Sequence, residues 1–430
     1  MRVMFVVFGS RSHLTIMVPT AWALRSAGHE VCVASQPNLT GAINDAGLTA
    51  VSIGEELDLS ESIGAAWRPD GTFPGQTYTL SENRPEKLTW DYVHATFGLF
   101  SGMFGEWFGN DAVLDDAVRF ARAWKPDLVV WDALTYCGPV VAAACGAAHA
   151  RMVFGLDYLA RMRAVFHRLA AEQPEDLRTD PMAHWLGHRL ARYDAGPFTE
   201  DMVTGQVSID PIPAWVQVET DEEAVPRLPI RYLPYGPRAT VPALLRTRPQ
   251  RPRVLLTLGL ATRELGLPAP PLGELLEGLG RVDAEVIATL NAEQLSLVGT
   301  IPDNVTVFDF VALEVALPTC SAIVHHMGAG STYSAVEFGV PQLCLRDEVN
   351  FWGEHDTARR VVERGAGLAL GADELTADAV QQTLTKLLAD PSFAEGAAAL
   401  REETHQAPPP TGIVGALEAL ADRSRAALTR

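Results

Sequence analysis

The sequence predicts an α/β chain made of two parallel-sheet, Rossmann-like domains in tandem, each sheet covered by helices on both faces. Three observations predict it. Short runs that are apolar throughout, such as Val3–Phe8, Leu128–Trp131 and Val254–Leu258, recur between segments of helical period; continuous rather than alternating apolar strands belong to sheets buried on both sides. The pattern begins twice, before and after a stretch from Pro234 to Pro252 that is rich in Pro and Arg and has no sustained period, the mark of an interdomain connection. Finally, 430 residues of which 47% are hydrophobic can fill two sizeable cores.

The elements follow in order. Val3 to Phe8 reads as the first strand and Gly9-Ser10-Arg11-Ser12 as a loop. Leu14, Val18, Ala21 and Leu24 then form the buried stripe of a helix that ends at Gly28. Glu30 to Ala34 is the next strand and Asp127 to Trp131 a later one. In the second half, strands are expected at Val254–Leu258, Glu285–Thr289, Val305–Phe308, Ala322–Val324 and Gln342–Leu345, with helices at Ser331–Phe338, Glu354–Glu363 and Thr376–Leu388. The segment Ile413–Ala421, after Pro408-Pro409-Pro410, is expected to be a helix that crosses back to the first domain. The division expected is residues 1–236, a linker at 237–250 and a second domain at 251–408, with residues from about 409 to 430 returning to the first. A cleft between the carboxyl ends of the two sheets is where such a pair takes its ligands.

Composition narrows the function. With 53 Asp and Glu against 34 Lys and Arg and no local basic patch, neither nucleic acid nor an anionic membrane is an expected partner. The cysteines, Cys32, Cys137, Cys145, Cys320 and Cys344, are scattered and odd in number, as reduced thiols would be. The first apolar run is too short for a secretory signal, and no stretch approaches a membrane span, so a soluble cytoplasmic protein is expected.

The strongest local signal is His325-His326-Met327-Gly328-Ala329-Gly330-Ser331-Thr332, between a strand and a helix. Its glycines admit a ligand close to the backbone, and the helix that follows offers unpaired N–H groups and a positive dipole end to an anion. A diphosphate fits, with a donor from His326 and a hydroxyl from Ser331; a Gly-rich turn without a ligand is the alternative. A dinucleotide fingerprint needs a third glycine where Tyr333 stands. After the first strand comes Ser12-His13, an imidazole at a sheet edge suited to take a proton from a hydroxyl. Asp132, at the end of another strand of the same sheet, is placed to orient it, or else is a loop acid. No Asp-x-Asp triplet and no Cys/His cluster suggests a metal site. Phe97, Phe100, Phe104, Trp107 and Phe108 share one helical face, which reads as core packing, an apolar acceptor pocket or a docking surface.

Almost end to end, the chain resembles the family 1 antibiotic glycosyltransferases of actinomycetes, in particular the desosaminyltransferase-like group acting on macrolides and related polyketides. The resemblance is carried by Ser12-His13, the run Val18 to Val31, Trp124 to Val129, Tyr232-Leu233-Pro234-Tyr235 and Pro318 to His326. It implies the GT-B fold and an inverting displacement in which His13 deprotonates the acceptor hydroxyl. Asp132 matches an acidic position of the family. His326, Gly328, Ala329, Gly330 and Ser331 match its diphosphate motif, Thr257-Leu258-Gly259 its loop after the first strand of the second domain, and Phe310 and Val311 the segment bordering the base. Three departures stand out. Met327 replaces a usual Gly, Leu260 stands where Ser or Thr is common, and the segment after Pro341-Gln342 is about three residues longer than in the family. Asn350, Glu354 and Asp356 are therefore all candidates to hold the donor sugar.

The function expected is transfer of a deoxysugar, an aminosugar among the candidates, from a thymidine-diphosphate (dTDP) sugar to a polyketide hydroxyl, with no cofactor and no metal. Phe97, Phe100 and Phe104 are the expected acceptor contacts. The resemblance also implies an auxiliary activator protein resembling a cytochrome oxygenase, and a homodimer is a possible assembly. The alternative is a non-catalytic nucleotide-sugar binder that keeps the fold; retention of both His13 and Asp132 argues for the enzyme.

Overall fold

The computed structural model describes residues 1–66, 77–219, 226–264, 270–346, 350 and 352–428. The chain forms two compact units: Met1–Ile212 with Gln217–Ile230 and Pro408–Arg430, and Pro213–Val216 with Arg231–Ala407.

The first unit is built on a seven-stranded sheet of β1 (Arg2–Val6), β2 (Glu30–Ser35), β3 (Thr49–Ser52), β4 (Leu128–Asp132), β5 (Ala148–Met152), β6 (Ser208–Asp210) and β7 (Arg227–Pro229). The order is β3-β2-β1-β4-β5-β6-β7 and every pairing is parallel. The second unit carries β8 (Arg253–Thr257), β9 (Glu285–Thr289), β10 (Val305–Phe308), β11 (Ala322–His325), β12 (Gln342–Arg346) and β13 (Gly367–Gly371), ordered β10-β9-β8-β11-β12-β13, again all parallel.

The continuous apolar strands have a direct cause in the second unit. Val254 and Leu256 of β8 pack with Val286, Val324, Leu275 and Val380 on one face. Leu255 between them packs with Ile287, Ile323, Leu317 and Ala335 on the other. Alternate side chains leave opposite faces of a strand, so a sheet with a core on each side needs an apolar residue at every position.

The first helix, Arg11–Ser26, buries Leu14, Val18, Ala21 and Leu24, the stripe read from the sequence. The last helix, Val414–Leu428, belongs to the first unit. It buries Leu417 and Ala421 completely and is tied down by Glu418 to His29 (3.0 Å) and Arg425 to Asp127 (3.1 Å). β3, β5, β6, β7 and β13 are strands that periodicity did not mark: they are short, and β5 (Ala148-His149-Ala150-Arg151-Met152) carries two polar residues into a wholly buried position. Arg151 does so by pairing with Asp157 (2.5 Å) and Ser208, the condition under which a charge can be buried. Among the described residues, no helix is long and apolar enough to cross a membrane.

Candidate active site

β1 and β4 are neighbours from which the chain departs in opposite directions, to β2 and β3 on one side and to β5, β6 and β7 on the other. Such a reversal opens a crevice at the carboxyl edge of a sheet. His13 lies there, in the first turn of the helix that follows β1, and Asp132 is the last residue of β4. His13 Nδ1 stands 2.7 Å from Asp132 Oδ2; the imidazole is 13% exposed and the carboxylate 1%. The second carboxylate oxygen accepts from the Leu134 N–H (3.0 Å) and from the Thr135 hydroxyl (3.3 Å). A carboxylate accepts, so the hydrogen between the pair belongs to Nδ1 and Nε2 is the acceptor of the ring.

Aromatic rings flank this imidazole. Phe8 and Phe154 each lie 4.5 Å from it, centroid to centroid, and Phe8 is stacked in turn on Phe108 at 4.0 Å. Sequence reasoning missed Phe8, Phe154 and Thr135. The only available signals were positional, since Phe8 and Phe154 follow the strands β1 and β5 and Thr135 sits three residues beyond Asp132. The aromatic helix Trp90–Gly109 contributes Phe108 to this cluster. Phe97 is fully buried, edge-on to Phe166 and beneath the Arg163 guanidinium. Phe100 is 3% exposed and edge-on to Tyr136. Both are packed against side chains of the first unit, and the Phe104 side chain lies outside the described residues.

The second unit repeats the arrangement. β8 and β11 are the neighbours at which its strand order reverses; after β8, Gly259 opens the short helix Gly259–Glu264, and the loop after β11 carries His326-Met327-Gly328. The His326 ring lies over both glycines. A Cβ on Gly259 would be 2.4 Å from His326 Cε1, one on Gly328 would be 3.1 Å from Cε1 and Nε2, and Gly259 has φ +75°. The helix Ala329–Phe338 starts at once; Thr332 N–H bonds back to the Gly328 carbonyl at 3.0 Å, so the amides of Ala329, Gly330 and Ser331 precede the first intrahelical bond. His326 Nδ1 is buried without a hydrogen-bond partner among the described residues. Burial pushes the His326 imidazole down to about 4 and that of its neighbour His325 down to about 3.

Of the remaining donor-side residues, Val311 turns its side chain into the core, leaving its backbone as the part able to border a ligand; Phe310 is half-buried. Asn350 accepts from the His355 N–H (3.1 Å) and Glu354 from the Trp352 N–H (2.9 Å), so both brace the start of the helix Glu354–Glu363. Asp356 pairs with Arg359 at 3.0 Å. Asp347, Glu348, Val349 and Phe351 lie outside the described residues. Among the described residues, no group of three or more His, Cys, Asp or Glu side chains is gathered as a metal site.

The neutral histidines carry a stability signature. Unfolding releases both imidazoles to an ordinary pKa near 6.5, so below that pH the unfolded chain binds protons that the folded chain does not. Stability is therefore expected to fall with pH from about 6.5 toward about 4, by about 1.4 kcal/mol per pH unit for each histidine. Urea titrations across that window, repeated on His325→Gln, check it: the variant should lose part of the slope.

Two family models cover most of the chain: erythromycin biosynthesis protein CIII-like, N-terminal domain, over residues 22–259, and the C-terminal domain of the same family over residues 273–420. The chain belongs to the erythromycin biosynthesis protein CIII-like family. Among its relatives, the aclacinomycin-T 2-deoxy-L-fucose transferase of Streptomyces galilaeus is 43% identical over 99% of this chain and 97% of its own length. The 3-alpha-mycarosylerythronolide B desosaminyl transferase of Saccharopolyspora erythraea is 41% identical over 98% of each. The crystal structure of the glycosyltransferase VinC in complex with dTDP superposes with a TM-score of 0.88 at 44% identity, covering 98% of this chain and all of that one. This member of the CIII-like family is thus a glycosyltransferase of the GT-B class, as the resemblance implied.

Proposed function

We propose that the chain transfers a deoxysugar from a dTDP-sugar to a hydroxyl of a polyketide-type aglycone, with inversion at the anomeric carbon, His13 as the base and no metal ion. The observation that carries the mechanism is the 2.7 Å contact between His13 Nδ1 and Asp132, which leaves Nε2 to accept a proton. The acceptor hydroxyl gives its proton to Nε2 as its oxygen bonds to the anomeric carbon, and the bond from that carbon to the diphosphate oxygen breaks with the electron pair leaving on the diphosphate. One direct displacement inverts the configuration. The imidazolium formed is stabilised by Asp132 and later returns its proton to water. Charge growing on the leaving diphosphate is met by the amides of Ala329, Gly330 and Ser331, the positive end of their helix and His326.

The substrate class follows from the relatives: a 2-deoxy-L-fucose transferase, a desosaminyl transferase and a protein solved with dTDP. Phe8, Phe154 and Phe108 suit an apolar acceptor next to the base. Calorimetric titration with thymidine, uridine and guanosine diphosphates tests the donor. Thymidine diphosphate should bind at least about tenfold tighter, the worth of one well-placed contact; equal affinities would remove the thymidine assignment. Turnover assays with and without a candidate activator protein test the auxiliary partner, and full activity of the chain alone would dismiss it.

A further inference from the structure

Met327 is a buried residue, 3% exposed, with φ +67°, in the left-handed region that a side chain with a Cβ seldom occupies. It sits between His326 and Gly328, so its conformation sets the direction of the turn that carries the diphosphate motif. Something must hold it there, because the residue itself does not favour it. The neighbouring imidazole does. His325 is completely buried; its Nδ1 lies 3.2 Å from the Met327 amide nitrogen and its Nε2 lies 2.9 Å from Gln342 Oε1. An amide N–H only donates, so Nδ1 accepts, and the single ring hydrogen of the neutral imidazole is on Nε2, donating to Gln342. Gln342 is 1% exposed and opens β12, the strand next to β11.

We propose that His325 is a positioning residue for the donor site: its neutral imidazole, anchored on Gln342, holds the Met327 amide and so keeps the phosphate-facing turn in its left-handed form. His325 touches no ligand in this role. The depressed basicity of the buried ring keeps it neutral at physiological pH, which the acceptor role of Nδ1 requires. The proposal rests on the donor reading above only for the choice of ligand.

The test uses the full chain, thymidine diphosphate as the calorimetric probe, and amide hydrogen exchange of the 325–331 peptide without ligand. In His325→Leu the Kd should rise about tenfold or more and the peptide should exchange about tenfold faster, as for the loss of one buried acceptor. His325→Asn, whose Oδ1 reaches the position of Nδ1, should stay within about threefold of the parent on both measures. Glycine adopts the left-handed form unaided, so adding Met327→Gly to His325→Leu should restore most of the affinity. If His325→Leu does not fold, His325→Asn is compared with His325→Gln, which can reach Gln342 but not the Met327 amide; Asn should bind and protect better. Unchanged affinity and exchange in His325→Leu, a double variant that binds no better than the single one, or equal behaviour of Asn and Gln would each overturn the proposal. If the parent chain does not bind thymidine diphosphate, the donor reading fails, and the exchange rates alone still decide the role of His325.

Discussion

Replacing His13 with alanine is expected to lower kcat by about a hundredfold to ten-thousandfold, the range a positioned general base contributes. The affinity for thymidine diphosphate should stay within about twofold, because no donor-side group is altered. The expectation comes from the wiring of the dyad. Asp132 is held by the Leu134 amide and the Thr135 hydroxyl and binds only Nδ1 of the ring, so removing the imidazole deletes the proton acceptor and leaves the carboxylate supported. Asp132→Asn, which preserves shape but offers no carboxylate to the imidazolium, should lie between the parent and His13→Ala. Steady-state kinetics paired with calorimetry separate the two effects, and a His13→Ala enzyme with parental turnover would end the assignment.

The second large effect is expected at Gly259. A methyl group there would lie 2.4 Å from His326 Cε1, and the backbone already has φ +75°; Gly259→Ala therefore both displaces the ring and strains the backbone. Thymidine diphosphate should bind about ten to a hundredfold more weakly, the cost of losing a hydrogen bond to a charged group. The loss should appear in kcat/KM for the donor, with the KM for the acceptor unchanged. Because the clash is with His326 while the backbone strain is not, Gly259→Ala should cost less in a His326→Ala background than in the parent, with the strain alone remaining. Two fully additive losses would show that Gly259 acts independently of the imidazole.

How much of this was legible in the sequence depends on where each signal came from. The strands with apolar residues at every position were readable because two-sided burial leaves no polar alternation, and β9 and β10 have the bounds expected. β5 was not, since its Arg151 and His149 are made tolerable by partners distant in sequence, Ser208 and Asp201, respectively 57 and 52 residues away. The same division holds at the site. His13 and Asp132 could be proposed because each follows a recognisable strand, and pairing them needed only that both strands belong to one sheet. The rings at His13 come from separate segments, Phe8 and Phe154 against the imidazole and Phe108 behind Phe8, and nothing local distinguishes Phe108, which reaches this cluster, from Phe97, which packs under Arg163. Met327 appeared in the sequence as a departure from a pattern; only the backbone angle reveals what the departure demands of its neighbour.

The return of Val414–Leu428 to the first unit bears on how the chain is made. Leu417 and Ala421 are buried in a helix that packs on β5, a strand translated before any of the second unit's sheet. The earlier-synthesised sheet must wait, with β5 uncovered there, while the whole of the other unit emerges and folds. Nascent chains stalled before residue 414 should therefore be the species most readily captured by chaperones or digested by protease, even though every strand of both sheets is already present in them.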